Sequence, residues 1–115
     1  MITHVVLFRP RAGLSDQERA RLADALGMAI AAIPSIRRAR FGKRVTHGRP
    51  GYEQMMREDY EYAALLDFED LAGLQAYLEH PAHETLAGCF FEVLDEGLMY
   101  DFDLREGTDG LATLV

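Results

Sequence analysis

An α+β domain is predicted, of the split β-α-β arrangement with element order β-α-β-β-α(α)-β: four mainly antiparallel strands with helices on one face. Three observations carry this. Apolar residues alternate with period two near the N-terminus, in the middle and near the C-terminus of the chain. Between those segments they recur at three- and four-residue steps, the spacing of a helix face. Two of the predicted strands are apolar on both faces, so each needs cover on both sides.

The first strand, Ile2 to Phe8, is short, β-branched and ended by Pro10. Ile2, His4, Val6 and Phe8 share one face; Thr3, Val5, Leu7 and Arg9 share the other. Ser15 followed by Glu18 is a capping-box pattern. It opens an amphipathic helix with Leu22, Leu26, Ile30 and Ile33 on its stripe, ended by Pro34. Arg37 to Thr46 reads as a basic second strand, irregular at Gly42, and His47 to Arg57 as a loop rich in turn residues.

Period two returns from Asp59 to Phe68, with Tyr60, Tyr62, Ala64, Leu66 and Phe68 on one face. Asp70 then caps a helix carrying Leu71, Leu74, Tyr77 and Leu78, which stops at His80-Pro81. Pro81 also suits the first position of a further helix, running through Leu86, Phe90, Val93 and Leu94 to Gly97 as its C-terminal cap. The last strand is expected at Leu98 to Leu104, with Leu98, Tyr100, Phe102 and Leu104 on one face and Met99, Asp101 and Asp103 on the other. Residues 1–104 form the predicted domain. Residues 105–115 show little pattern and read as a mobile tail or arm.

Composition excludes several functions. At 115 residues, 49% hydrophobic and 27% charged, the chain fits one globular domain with a core of its own. A lone cysteine, Cys89, rules out an internal disulfide framework and a thiolate metal site. No run approaches the 18 or more apolar residues of a membrane span. No phosphate-cradling glycine loop or dinucleotide fingerprint is present. The expectation is a soluble, cytoplasmic protein with no membrane partner and no cofactor. The charge of −7 hides an asymmetry. Residues 1–50 hold 10 basic against 3 acidic side chains, whereas residues 51–115 hold 2 against 16. Because the basic residues sit within patterned elements, the halves are expected to neutralise one another within the fold or across a dimer, with no nucleic acid involved.

A sheet clad by helices on one side, with apolar strands on both, needs a second cover. Another copy of the same sheet is the simplest candidate, which predicts a homodimer. Among candidate functional residues, His83 and Tyr77 lie either side of the Pro81 break, so a bend there decides whether they meet. Imidazole is the side chain best suited to take a proton alpha to a carbonyl near neutral pH, and a phenol in an apolar pocket can stabilise the resulting enolate. Equally, His83 can serve the first turn of its helix while Tyr77 packs the core. His4 reads either as a hydrogen-bonded core residue or as a pocket wall. Tyr60, Tyr62, Phe68, Phe90 and Phe91 read either as plain core or as the lining for a small hydrophobic organic ligand. His80 and His83 have a ligand-compatible spacing with Pro81 intervening and no third ligand nearby, so no metal site is predicted.

His4-Val5-Val6-Leu7-Phe8, Ile33-Pro34, Asp59-Tyr60 and Tyr77-Leu78-Glu79-His80-Pro81-Ala82-His83 together resemble the stress-responsive dimeric α/β-barrel (Dabb) domain family, over about residues 2 to 104. The Tyr-x-x-His-Pro-x-His element is the most specific part. The resemblance implies a ferredoxin-like fold and dimers in which two sheets face each other as a barrel. Most members have no established reaction. One branch, similar to olivetolic acid cyclase, closes a linear polyketide thioester by aldol condensation. By that resemblance His83 falls on the base position, Tyr77 on the hydroxyl donor and His4 on a pocket histidine. Tyr62 stands where that branch has a further histidine. Haem-degrading and quinone-forming monooxygenases of similar fold rely on a tryptophan, and this chain has none. The implied activity is cofactor-free acid–base chemistry on a carbonyl compound: cyclisation, isomerisation or lyase action. The rival is a non-catalytic ligand-binding or structural dimer.

Overall fold

The computed structural model describes residues 1–115. Strand β1 (Ile2–Pro10) leads into helix α1 (Asp16–Ala32), then β2 (Arg38–Lys43) and β3 (Tyr62–Phe68). Helices α2 (Leu71–Glu79) and α3 (Pro81–Val93) follow, and β4 (Leu94–Asp103) completes a four-stranded sheet of order β2-β3-β1-β4. Every neighbouring pair is antiparallel. This is the ferredoxin-like arrangement. β1 and β3, the strands apolar on both faces, are the two inner strands, where pairing on both sides leaves no backbone group unsatisfied.

Local signals explain most element ends. The Ser15 hydroxyl accepts the Glu18 N–H at 3.1 Å while Glu18 accepts the Ser15 N–H at 3.2 Å, so α1 starts at its capping box. Ala25 and Ala29 are the buried residues of α1; their small side chains let the helix backbone lie close to the sheet. Asp70 caps α2 by accepting the Gly73 N–H at 2.9 Å. The main core joins Ala25, Ala29 and Ile33 to Leu66 and Phe68 beneath, and to Leu74, Tyr77 and Leu86 from α2 and α3. Val6, Phe8 and Ala64 continue it along the sheet. No helix is long and apolar enough to cross a membrane.

The structure moves several predicted boundaries. α3 ends at Val93 and β4 begins at Leu94, so Gly97 is not a helix cap. It lies inside β4 opposite Phe8, where a Cβ would come within 3.0 Å of Leu94 Cδ1 and 3.2 Å of the Leu7 carbonyl oxygen. That glycine allows close strand packing beside the register shift at Arg9 and Pro10. β3 begins at Tyr62, three residues later than predicted from Asp59, and Tyr60 leaves the alternation. Instead it borders a hollow with Leu7, Ala63 and Leu65 on the opposite side of the sheet. Within the predicted loop, Glu53 to Met55 form a 3₁₀ turn. The Glu53 carboxylate accepts the N–H groups of His47 and Gly48 and is drawn down to about 2 by these backbone hydrogen bonds. Residues 107–114 wind into two short helical turns where no pattern was read.

α1, α2 and α3 lie on one side, and the Cα slab is only 16 Å thick in its shortest dimension. Its open face presents Val5, Leu7, Leu65, Leu98, Tyr100 and Phe102, with Tyr100 60% and Phe102 48% exposed. The basic first half does pair with the acidic second: Arg9 with Asp95 and Glu58, Arg37 with Glu69, Arg40 with Asp67, and Arg44 with Asp59. These pairs are mostly at the surface and contribute little each. Packing dominates, with Phe68 fully buried at 0% exposure under Tyr77. Replacing Phe68 with Ala should lower the unfolding free energy by about 3–5 kcal/mol. In urea titrations this appears as an earlier midpoint at unchanged slope.

Candidate functional site

The site is built by the break between α2 and α3. Pro81 has no N–H and occupies the first position of α3, so the chain turns at His80 and restarts as a helix. The His80 ring steadies the restart by accepting the Ala82 N–H on Nδ1 at 3.0 Å. Tyr77, in the last turn of α2, and His83, in the first turn of α3, then face each other with ring centroids 4.6 Å apart at 64°. Tyr77 is 3% exposed and packs on Phe68 beneath it, with centroids 5.2 Å apart. On its other side is His4, at 5.8 Å.

His4 comes from the middle of β1 on the helix-facing side, directly opposite Asp101 in the β1–β4 register. Cross-strand partners share a face, and His4 Nδ1 lies 2.6 Å from Asp101 Oδ1. A carboxylate only accepts, so Nδ1 carries the proton and Nε2 is the nitrogen left free. The imidazole is buried at 8% side-chain exposure, whereas the Asp101 carboxylate, at 42%, keeps contact with water.

These residues open onto a cavity of about 260 Å³. Its floor is Val6, Phe8, Ala64 and Leu66 of the sheet; Leu22 and Leu26 come from α1. Leu78, Leu86, Ala87, Phe90 and Phe91 form the walls, with Met99 of β4 at the border. The polar residues of the lining are His4, His83 and Tyr77. Two wider hollows, about 760 Å³ over the open sheet face and about 530 Å³ beside α1, hold no histidine.

Burial sets the proton states. It pushes the Tyr77 phenol up to about 12, with the negative charge of Asp101 adding to the effect. Burial also lowers His83 below its ordinary 6.5, helped by the charge of His4 and opposed by a hydrogen bond to the Leu78 carbonyl. At neutral pH His83 is therefore an uncharged base and Tyr77 a protonated donor, the two states that proton abstraction beside a carbonyl requires.

The structure brings His83, Tyr77, His4 and Phe90 to one cavity. Tyr62 does not reach the lining. It stacks on Phe8 at 5.6 Å and 26°, and Phe8 in turn meets Phe90 edge-on at 5.1 Å, so Tyr62 supports the wall from behind. His80 serves its helix cap, and no group of three or more His, Cys, Asp or Glu side chains is placed to hold a metal ion. Asp101 is the residue that sequence reasoning missed. In the sequence it shows only as the polar face of the last strand, and the register opposite His4 was the signal that could have found it.

The depressed His83 value has a measurable consequence. The unfolded chain binds a proton at His83 near pH 6.5 and the folded chain only below that. Folding stability contributed by this residue should fall as pH drops below 6.5, and level off once the folded-state group is also protonated. In NMR titrations the His83 ring should titrate below 6.5, and His4→Gln should move it upward by removing the neighbouring charge.

Comparison with known proteins agrees with the fold. The profile of the Stress responsive A/B Barrel Domain family matches residues 2–104. A dimeric ferredoxin-like protein of unknown function from Thermobifida fusca superposes with a TM-score of 0.70 at 24% identity, covering 90% of each chain. Hydroxynitrile lyase from Passiflora edulis gives a TM-score of 0.76 at 18% identity, over 92% of this chain and 94% of that one. SnoaB, a cofactor-independent oxygenase from Streptomyces nogalater, gives 0.66 at 16% identity, over 92% and 94%. No curated protein matches the sequence.

Proposed function

The chain belongs to the stress-responsive A/B barrel domain family, and we propose that it is a cytoplasmic homodimer performing cofactor-free acid–base chemistry on a small, uncharged carbonyl compound. The observation that carries this reading is the 4.6 Å approach of His83 to Tyr77 inside an apolar cavity shared with His4. His83 takes the proton from the carbon beside the carbonyl, and the bonding pair left behind becomes the enolate. The Tyr77 O–H donates to the developing oxyanion. Returning the proton to another carbon gives isomerisation; attack of the enolate on a second carbonyl gives cyclisation. Deprotonation of a cyanohydrin hydroxyl by the same base, with departure of cyanide, gives lyase action. His4, oriented by Asp101, presents Nε2 as a further polar contact, and Phe90, backed by Phe8 and Tyr62, holds the apolar body of the ligand.

Support for the dimer comes from the apolar open face and from the description of the Thermobifida fusca relative as dimeric. Support for catalysis comes from relatives described as a lyase and as a cofactor-independent oxygenase. A second reading, a non-catalytic ligand-binding or structural dimer, is favoured by the pull of the Leu78 carbonyl on His83 and by a cavity below the roughly 300 Å³ of drug-sized sites.

Thermal-shift measurements with neutral phenols and aryl ketones should raise the melting temperature, more for the wild type than for Tyr77→Phe. With mandelonitrile as a probe of lyase action and simple 1,3-diketones as probes of alpha-proton exchange, His83→Ala should lower turnover by about 10²–10⁴-fold. The remaining wild-type activity should fall on the acid side in step with His83 protonation. Full activity in His83→Ala would transfer the reading to the non-catalytic alternative.

A further inference from the structure

The cavity beside His83 and Tyr77 has more places to accept a hydrogen bond than to donate one. Ser35 Oγ and Glu53 Oε2 are the side-chain atoms that are closed off from solvent and lack a hydrogen-bond partner. His4 is bonded to Asp101 through Nδ1. Its Nε2 and the Tyr77 hydroxyl have no partner in the protein, yet neither is closed off in that way. Both atoms therefore reach open space, and the hollow that these residues share with His83 is the cavity of about 260 Å³. His83 gives one ring N–H to the Leu78 carbonyl, so its other nitrogen is a lone pair in the uncharged ring. His4 Nε2 is a lone pair for the same reason, with Asp101 on the other nitrogen. Against these two acceptors stands one donor, the Tyr77 O–H. A simple ketone pairs only with that donor and leaves both imidazole nitrogens unmatched in an otherwise hydrocarbon lining.

We propose that the ligand is an α-hydroxy ketone, its hydroxyl donating to His4 Nε2 and its carbonyl accepting from Tyr77, and that the site moves the carbonyl group to the neighbouring carbon. The proposal rests on the acid–base reading of His83 and Tyr77 and names the substrate class of that same site. Two bases in one cavity serve two protons, one bound to carbon and one to oxygen. His83 takes the hydrogen of the hydroxyl-bearing carbon as a proton. The C–H pair becomes the C=C bond of an enediolate, and the carbonyl π pair moves to its oxygen, which the Tyr77 O–H holds. His4 Nε2 takes the proton of the original hydroxyl and returns it to the former carbonyl oxygen. While it carries that proton, the imidazolium lies 2.6 Å from the Asp101 carboxylate, which balances its charge. The oxygen left behind forms the new C=O bond, and the C=C pair takes back the proton from His83 at the neighbouring carbon. One proton has moved between carbons and one between oxygens, with no oxidant or reductant. His4 is then a second catalytic base, and the two histidines and the tyrosine each have one task.

The test uses the full chain and three probes of one carbon skeleton: phenylacetylcarbinol, its isomer 2-hydroxypropiophenone, and phenylacetone, which lacks the hydroxyl. In thermal-shift titrations the wild type should bind phenylacetylcarbinol about five-fold more tightly than phenylacetone, the gain of one hydrogen bond. His4→Phe, which removes the acceptor and keeps a ring, should abolish that preference. By chromatography the wild type should interconvert the two hydroxy ketones, and in deuterated water it should exchange the α-hydrogens of phenylacetone, a step that needs no second base. His4→Gln, which cannot carry a proton, should lower interconversion about 10²-fold and exchange about ten-fold less than that. Circular dichroism shows that each variant is folded, and the wild-type comparison of the probes stands without them. Exchange into phenylacetone with no interconversion of the hydroxy ketones, or equal affinity for phenylacetylcarbinol and phenylacetone, overturns the substrate assignment and leaves the acid–base reading standing. Absence of exchange as well removes that reading too.

Discussion

A sheet with two apolar faces and helices enough for only one of them governs this molecule. α1, α2 and α3 all lie on one side, and burial concentrates there, at Phe68, Ile33, Leu66 and Tyr77. The uncovered side keeps Leu7, Leu65, Tyr100 and Phe102 in reach of water. The free energy of covering that apolar face scales with its area, at about 25 cal/mol per Å², and no other element of the chain is placed to do it. Cladding on the helix side also fixes where the His83–Tyr77 cavity lies. A polar group on that side of β1 must find a partner or face a hollow, and His4 does both, with Asp101 on one nitrogen and the cavity beside its ring.

The second constraint is local. One proline converts what would be a single long helix into two, and the change of direction brings together residues six apart in sequence. On a continuous helix, positions 77 and 83 would point to different sides, since a six-residue step rotates by about 240°. With the break at His80-Pro81 their rings meet at 4.6 Å. The His80 side chain belongs to the same device, satisfying an N–H of the new helix that would otherwise lack a partner. In Tyr77-x-x-His80-Pro81-x-His83, the outer residues reach the cavity and the inner two make the bend.

How much was legible in the sequence follows from the range of the interactions involved. Element types and order were readable because periodicity and caps are local: Ser15 with Glu18, Asp70 and Pro81 all mark the starts they were read to mark. Gly97 misled because a glycine after a helical pattern suits a C-terminal cap and a crowded strand position equally. Only the approach of the Leu7 carbonyl and Leu94 tells them apart, and that contact is non-local. Tyr60 failed for a similar reason, since alternation continues in sequence past the point where β3 stops pairing. In the candidate site, His83 and Tyr77 were identifiable as chemistry-bearing residues, but their convergence was not, because a bend angle is a tertiary quantity. Asp101 was invisible until the β1–β4 register set it against His4.

The character of the cavity then limits what it can hold. Apart from two imidazoles and one phenol its lining is hydrocarbon, and burial already acts against charge there by lowering His83 and raising Tyr77. A ligand carboxylate would meet the same penalty, with Asp101 on the far side of His4 adding repulsion and no arginine or lysine in the lining to offset it. A cationic ligand would further disfavour the charged form of His83 and would lack a carboxylate in direct contact. The uncharged compound of the proposed function, with one or two carbonyl or hydroxyl groups, would meet the polar residues of the lining and leave the apolar wall to its carbon skeleton. At about 260 Å³, that skeleton is closer to one aromatic ring with a short substituent than to a long chain. Phe8, in the lining, packs against both Phe90 and Tyr62 and so ties that part of the wall to the sheet.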